Sequence, residues 1–140
     1  MYRKLSAEES YGLLRGGRLA RLGCVADGEP YVVPVNYALE GEAAYVHSLP
    51  GRKVRALRAD PRVCLQVDDI GGEFGWRSVI AFGRYEEVEG RAERERALGL
   101  LLERFPRLTP VESLLAADAH APEPVVFRVR IERVTGVCEA

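Results

Sequence analysis

The chain has no uninterrupted apolar run approaching about 18 residues, the length a membrane-spanning helix requires. Its first ten residues, MYRKLSAEES, hold no apolar core of the kind a secretory signal needs. Together these absences lead to the expectation of a cytoplasmic protein. An excess of positive charge is missing too, since 20 Lys and Arg stand against 21 Asp and Glu, for a net charge of −1. No overall field then draws the chain to nucleic acid or to an anionic membrane, neither is expected as a partner, and any basic site must be local. Cysteine is scarce and odd in number. Cys24, Cys64 and Cys138 lie far apart in apolar, strand-like contexts with no CxxC or Cys–His spacing, which reads as buried thiols, and no metal is expected.

What is present is the composition of an ordinary globular protein: 140 residues, 47% hydrophobic and 29% charged, enough for one domain over residues 1–140 with one core. Ser6-Ala7-Glu8-Glu9 fits a capping box ahead of a short helix that Gly16-Gly17 ends. From Arg18 the pattern becomes that of strands. One runs to the turn signal Asp27-Gly28, a second from Tyr31 to Leu39, and a third from Tyr45 to Leu49, close enough together to form an antiparallel meander. Between Gly51 and Asp60 the period changes to that of a short basic helix, with Val54 and Leu57 three apart among Arg52, Lys53, Arg55 and Arg58.

Val63–Val67 reads as a fourth strand, Asp68 to Gly72 as a loop, and Ser78–Val88 as a long fifth strand bent or bulged at Gly83. A helix over Glu89–Phe105 carries an apolar packing stripe from Ala97 to Phe105. A short helix and loop are expected within 109–122, and a last strand over Val125–Val137. The sum is mainly β (α+β): a six-stranded, closed antiparallel barrel with flanking helices.

Chemistry concentrates at His47-Ser48-Leu49-Pro50-Gly51-Arg52-Lys53. A strand delivers His47 and Ser48 to a turn, glycine permits close backbone approach, and the following helix opens with two cations. Cations have the wrong sign for a helix N-terminus and cost roughly 0.3–1 kcal/mol each when exposed, unless an anion sits there. Free helix N–H groups, a hydroxyl and a Lys–Arg pair together describe a phosphate site. The residues alone leave a second reading open, a solvated basic helix face, because Arg55 and Arg58 continue the positive surface. Neither a P-loop nor a Gly-x-Gly-x-x-Gly is present to decide the matter.

Four segments carry a family resemblance: YVVPVNY at 31–37, YVHS at 45–48, GRKVRALRADPRVCLQVDD at 51–69 and WRSVIAFGRYEEVE at 76–89. The chain resembles the FMN-binding split barrels related to pyridoxamine 5'-phosphate oxidase, and among them the short proteins similar to the nitroimidazole-resistance flavoproteins. The resemblance covers about Leu13 to Glu89 and the final strand Val125 to Gly136. It implies a split-barrel fold and FMN as cofactor, with Arg52 and Lys53 on the phosphate and Ser48 by the phosphate or ribityl chain. It further implies that His47 lies near the isoalloxazine, and that Val33, Pro34, Val35 and Asn36 run alongside the ring system. Ser78 stands where the oxidases carry a glutamine.

A homodimer with the flavin between subunits is implied as well, with Trp76 and Arg77 as candidates for the partner's contribution. The implied activity is NAD(P)H-dependent reduction of a small acceptor of nitro or quinone type. A binding module for flavin or haem, and a deazaflavin reductase on the same fold, are the alternatives. The oxidases end in a segment with tryptophan and arginine that grips substrate, whereas this sequence ends Val-Cys-Glu-Ala, so oxidation of vitamin B6 is not expected.

For individual residues the plain readings stand beside the functional ones. His47 is either a proton-transfer group, the one catalytic candidate, or a strand-end histidine bonded to backbone. Trp76 is a barrel residue or a flavin wall. His120, in a proline-flanked loop, reads as solvent-exposed. Asp68 and Asp69 are adjacent and so point to opposite faces of any strand, which disfavours a joint metal or acid–base role.

Overall fold

The computed structural model describes residues 1–71, 75–106 and 123–139. In chain order it runs β1 (Tyr2–Lys4), α1 (Ala7–Gly16), β2 (Leu19–Ala26), β3 (Glu29–Asn36), β4 (Ala38–Glu40) and β5 (Ala43–Ser48). It continues with α2 (Arg52–Ala59), β6 (Arg62–Ile70), β7 (Trp76–Glu87), α3 (Arg91–Arg104) and β8 (Val125–Glu139). All strand pairs are antiparallel, in the order β3-β2-β6-β7-β8-β5-β4, with β1 added on β8. The mainly β split-barrel class is as expected. The count of six strands is not, because the sheet has eight, and it is open at β3 and β4 where a closed barrel was expected.

The physical reason lies at Tyr37. The expected strand Tyr31–Leu39 breaks there into β3 and β4, because Tyr37 is fully buried, donates its hydroxyl to the Leu14 carbonyl and its N–H to the Arg18 carbonyl. Burial pushes its phenol up to about 12, so it remains a hydrogen-bond donor at any ordinary pH. The chain leaves Tyr37 paired to β5 instead of β2. Pro30 and Pro34 lack the N–H that a second neighbour would need, which suits β3 to an edge. The eighth strand, β1, pairs Arg3 with Cys138 and is too short and polar to announce itself by alternation.

Other expectations resolve locally. The β2–β3 hairpin turns on Asp27 and Gly28, both at positive φ (52° and 78°), as its two-residue loop requires. Asp68, Asp69 and Ile70 lie within β6 and not in a loop, since they pair with Ser78, Arg77 and Trp76 and Asp69 takes the Arg77 guanidinium at 2.6 Å. The bulge expected at Gly83 is present as a register shift between Phe82 and Gly83. A Cβ there would stand 2.1 Å from the Arg130 carbonyl oxygen. Cys24 and Cys138 are buried as expected, while Cys64 is half-exposed. The helix and loop expected within 109–122, and His120, lie outside the described residues.

The main core is enclosed by the sheet and floored by α2, whose Leu57 is fully buried in it, and Val54 of the same helix is fully buried as well. At about 1.5–3 kcal/mol for each such side chain, those two anchors fix where the helix begins, and hence where its N-terminal groups point. A smaller cluster of Tyr45, Val88, Ala97 and Val126 seats α3 on the outer side of β5 and β8. Among the described residues no helix is long and apolar enough to cross a membrane.

Candidate functional site

Helix α2 starts differently from the helix before it. α1 has a complete capping box, with Ser6 accepting from the Glu9 N–H and Glu9 accepting from the Ser6 N–H, and carries Glu8 and Glu9 in its first turn. α2 has Gly51 at its N-cap, no side-chain cap and no acid in its first turn. The first N–H groups of α2 are therefore without an intrahelical or capping acceptor, at the positive end of the helix dipole.

The side chains there are Ser48, Arg52 and Lys53. Ser48 is buried at the end of β5 and donates its hydroxyl to the Leu49 carbonyl at 2.9 Å, which leaves its oxygen lone pairs to accept. Lys53 is half-buried, and that burial lowers its ammonium pKa from the ordinary value. It forms no ion pair or side-chain hydrogen bond among the described residues. A cation withdrawn from water without an anion is a cost that the fold itself does not offset. Arg52 is held lightly: its guanidinium lies 4.8 Å from the Tyr31 ring centroid and 4.0 Å from Glu29, an exposed pair of the kind worth at most about 1 kcal/mol. Arg52 can thus turn to a better partner at little expense. Ser48 thus ends β5 four residues before Arg52 and Lys53 open α2, and the Arg52–Tyr31 contact ties that helix start to β3.

The β3 candidates divide between two faces. Val35 is buried and Val33 partly buried, both on the core side, whereas Pro34 and Asn36 are exposed on the outer face. As an edge strand, β3 also presents backbone N–H and C=O groups that no strand among the described residues pairs. His47 is half-buried next to Ser48, on a register that sets it across from Val126.

Ser78 belongs to a polar group on the outer face that sequence reasoning did not assemble. Gln66 donates its amide to Ser78 Oγ at 3.0 Å and to Asp68 at 3.1 Å, and Arg21 donates to Asp68 at 3.0 Å. Gln66, which belongs to no sequence motif of the site, sets an amide beside Ser78. The signal that could have found it is register: pairing β6 with β7 puts Gln66 and Ser78 two residues apart on one face. Tyr31 was likewise missed. Its position six residues ahead of Tyr37 carries no pattern, and only the packing of α2 brings it under Arg52.

Trp76 and Arg77 stand elsewhere. Trp76 pairs with Glu139, donates its indole N–H to that carboxylate at 2.9 Å, and packs its ring 5.9 Å from Tyr2. Ser48 pairs with Val125, at the other end of β8. The two ends lie fourteen residue steps apart along the strand, a path of about 45 Å at 3.3 Å per residue. Within one chain Trp76 and Arg77 therefore do not meet Ser48. Among the described residues no group of His, Cys, Asp and Glu is placed to hold a metal ion.

Comparison with known proteins gives the following. A family model described as pyridoxamine 5'-phosphate oxidase matches residues 6–137. An uncharacterised protein of Rhizobium meliloti (strain 1021) is 37% identical over 145 residues, covering 96% of this chain and 93% of that protein. The crystal structure of a FAD-binding protein from Mesorhizobium loti is also 37% identical, with a TM-score of 0.80, covering 100% of this chain and 99% of that one. A candidate 5-nitroimidazole antibiotic resistance protein from Bacteroides thetaiotaomicron shares the fold at 20% identity, with a TM-score of 0.80, covering 99% of this chain and 87% of that one.

Proposed function

From the premise that the chain belongs to the pyridoxamine 5'-phosphate oxidase family, whose model spans most of its length, we propose that it binds FMN and serves as an NAD(P)H-dependent reductase of a small acceptor. The observation that carries the reading is Lys53: a half-buried cation with no anionic partner among the described residues, in the first turn of an uncapped helix beside a buried serine. That arrangement fits a phosphate monoester. Lys53 and Arg52 neutralise its charge, and the free N–H groups of α2 and the Ser48 hydroxyl complete its hydrogen bonds. The Mesorhizobium loti relative, named as FAD-binding, supports a flavin as the molecule that bears the phosphate.

Hydride acceptance from NAD(P)H and delivery of electrons to a nitro compound or quinone is the chemistry a flavin supplies when bound. The protein's part is to hold and orient it. Edge strand β3 offers backbone groups of Val33 to Asn36 to the polar rim of a ring system, and His47 is the side chain at this turn able to exchange a proton near neutral pH. Because Trp76 and Arg77 sit at the far end of β8, they reach such a ring only from a second copy, and we read the active form as a homodimer with the flavin between subunits.

The test is titration of purified protein with FMN, followed by addition of NAD(P)H and menadione or a nitroimidazole. Saturable quenching of flavin fluorescence with steady NAD(P)H consumption, both lost in Lys53→Ala, is the expected result. Binding without consumption would leave a flavin carrier and refute the reductase. Failure to bind FMN would refute the site, and elution as a monomer when FMN is bound would refute the dimer.

A further inference from the structure

The basic surface of α2 does not stop at the phosphate turn. Arg52, Arg55, Ala56 and Ala59 follow the spacing i, i+3, i+4, i+7 and so share one face of the helix. That face lines a groove of about 260 Å³ against the β2–β3 hairpin, closed on the other side by Val25 and Asp27. The groove is graded along its length. At the N-terminal end of α2 stand two guanidinium groups, then the small side chains Ala56 and Ala59, and on the hairpin side the Asp27 carboxylate.

Among the described residues both charged ends of the groove are exposed. The Arg55 guanidinium and the Asp27 carboxylate form no ion pair or hydrogen bond there, although both line the same groove, and Arg52 has only its 4.0 Å contact with Glu29. Arg58, one turn on, differs in being committed to Glu87. From Arg52 to Ala59 the helix advances about 10 Å at 1.5 Å per residue, so the groove extends well beyond what a single phosphate occupies.

We propose that this groove is a binding site for the adenylyl end of a flavin dinucleotide, continuous with the phosphate turn, and that the chain therefore prefers FAD to FMN. The proposal rests on the flavin reading above and deepens it. The first phosphate lies at Ser48, Arg52 and Lys53, and the second falls within reach of Arg52 and Arg55, whose planar forks suit a diphosphate. The alanines leave room for a ribose and a flat base, and the Asp27 carboxylate accepts from ribose hydroxyls, a pairing that acidic residues make in other dinucleotide sites. A mononucleotide leaves all of this unused.

The experiment is parallel titration of the full chain with FMN and with FAD, read by flavin fluorescence and by calorimetry. Wild-type protein is expected to bind FAD roughly tenfold or more tighter than FMN, the effect of one added charge-assisted phosphate contact. Arg55→Ala is expected to abolish the preference by weakening FAD alone. Asp27→Asn, which tolerates the positive φ, is expected to reduce it. Equal affinities in the wild type, or an Arg55→Ala variant weakened equally toward both flavins, would overturn the adenylyl site while leaving the flavin reading intact. Binding of neither flavin would overturn both.

Discussion

Replacing Lys53 by methionine separates ligand binding from folding, because the two respond in opposite directions. In the free protein the ammonium is half-buried, its pKa is lowered by that burial, and no anion among the described residues offsets it. The linkage sign follows: the unfolded chain holds the proton more tightly, so stability rises with pH from the lowered pKa up to the ordinary Lys value, and below that window the charge counts against the fold. Lys53→Met keeps an unbranched apolar stem of similar length and removes the charge. The unliganded variant should be as stable as wild type, or more stable by up to about 1 kcal/mol, given the 1–3 kcal/mol usual for a fully buried unsatisfied polar group.

Phosphate binding should suffer instead. A charge-assisted hydrogen bond contributes about 1.5–3 kcal/mol, so FMN affinity should fall roughly ten- to hundred-fold. Thermal unfolding of the ligand-free protein and fluorescence titration with FMN read the two effects independently. A variant that unfolds more readily by over about 1 kcal/mol, yet binds FMN as wild type does, would refute the reasoning. Lysine would then be there to pack.

Two further outcomes test the frame around the site. Gly83→Ala places a Cβ 2.1 Å from the Arg130 carbonyl oxygen at the bulge between β7 and β8, where only backbone could yield. Overpacking of this kind costs about 1–3 kcal/mol and backbone collision tends to the upper end, so the urea midpoint should drop sharply with little change in slope. At low pH, Glu9 and Asp60 are each held down to about 2, Glu9 first by its hydrogen bond from Arg3 and Asp60 first by that from Arg62. Folded-state pKa values below the unfolded ones give stability that is present above the ordinary carboxylate range and lost as pH falls toward 2. In an acid-unfolding series, Glu9→Gln should therefore converge with wild type at the acid end of that interval and fall below it at neutral pH; a constant offset at every pH would contradict the assignment.

How much of this was legible before any coordinates depended on the range of the interaction that fixes each feature. The Ser6–Glu9 box, the Asp27–Gly28 turn and the bulge at Gly83 are local, and each appears where the residues put it. The break at Tyr37 is not local. It depends on a hydroxyl meeting a carbonyl 23 residues earlier in the chain, and in sequence the tyrosine continues the alternation of a strand. Asp68 and Asp69 look like turn formers, and they become strand residues because Arg21 and Arg77, each from a neighbouring strand, supply the partners that let carboxylates sit on a sheet.

The start of α2 shows the same division within a few residues. The charge sign at the start of α2 could be read directly, yet two readings survived it, since a solvated helix face also carries Arg52, Arg55 and Arg58. What separates them is the fate of each cation after folding. Arg58 finds Glu87 on β7 and so belongs to the frame, while Lys53 is half-buried with no anionic partner among the described residues. Two cations only five residues apart thus come to differ in kind. The difference is made by a helix whose apolar stripe fixes its rotation, so that Arg58 meets Glu87 on β7 while Lys53 meets no carboxylate among the described residues. A sequence states the charges in order; the rotation decides which of them is left for a ligand.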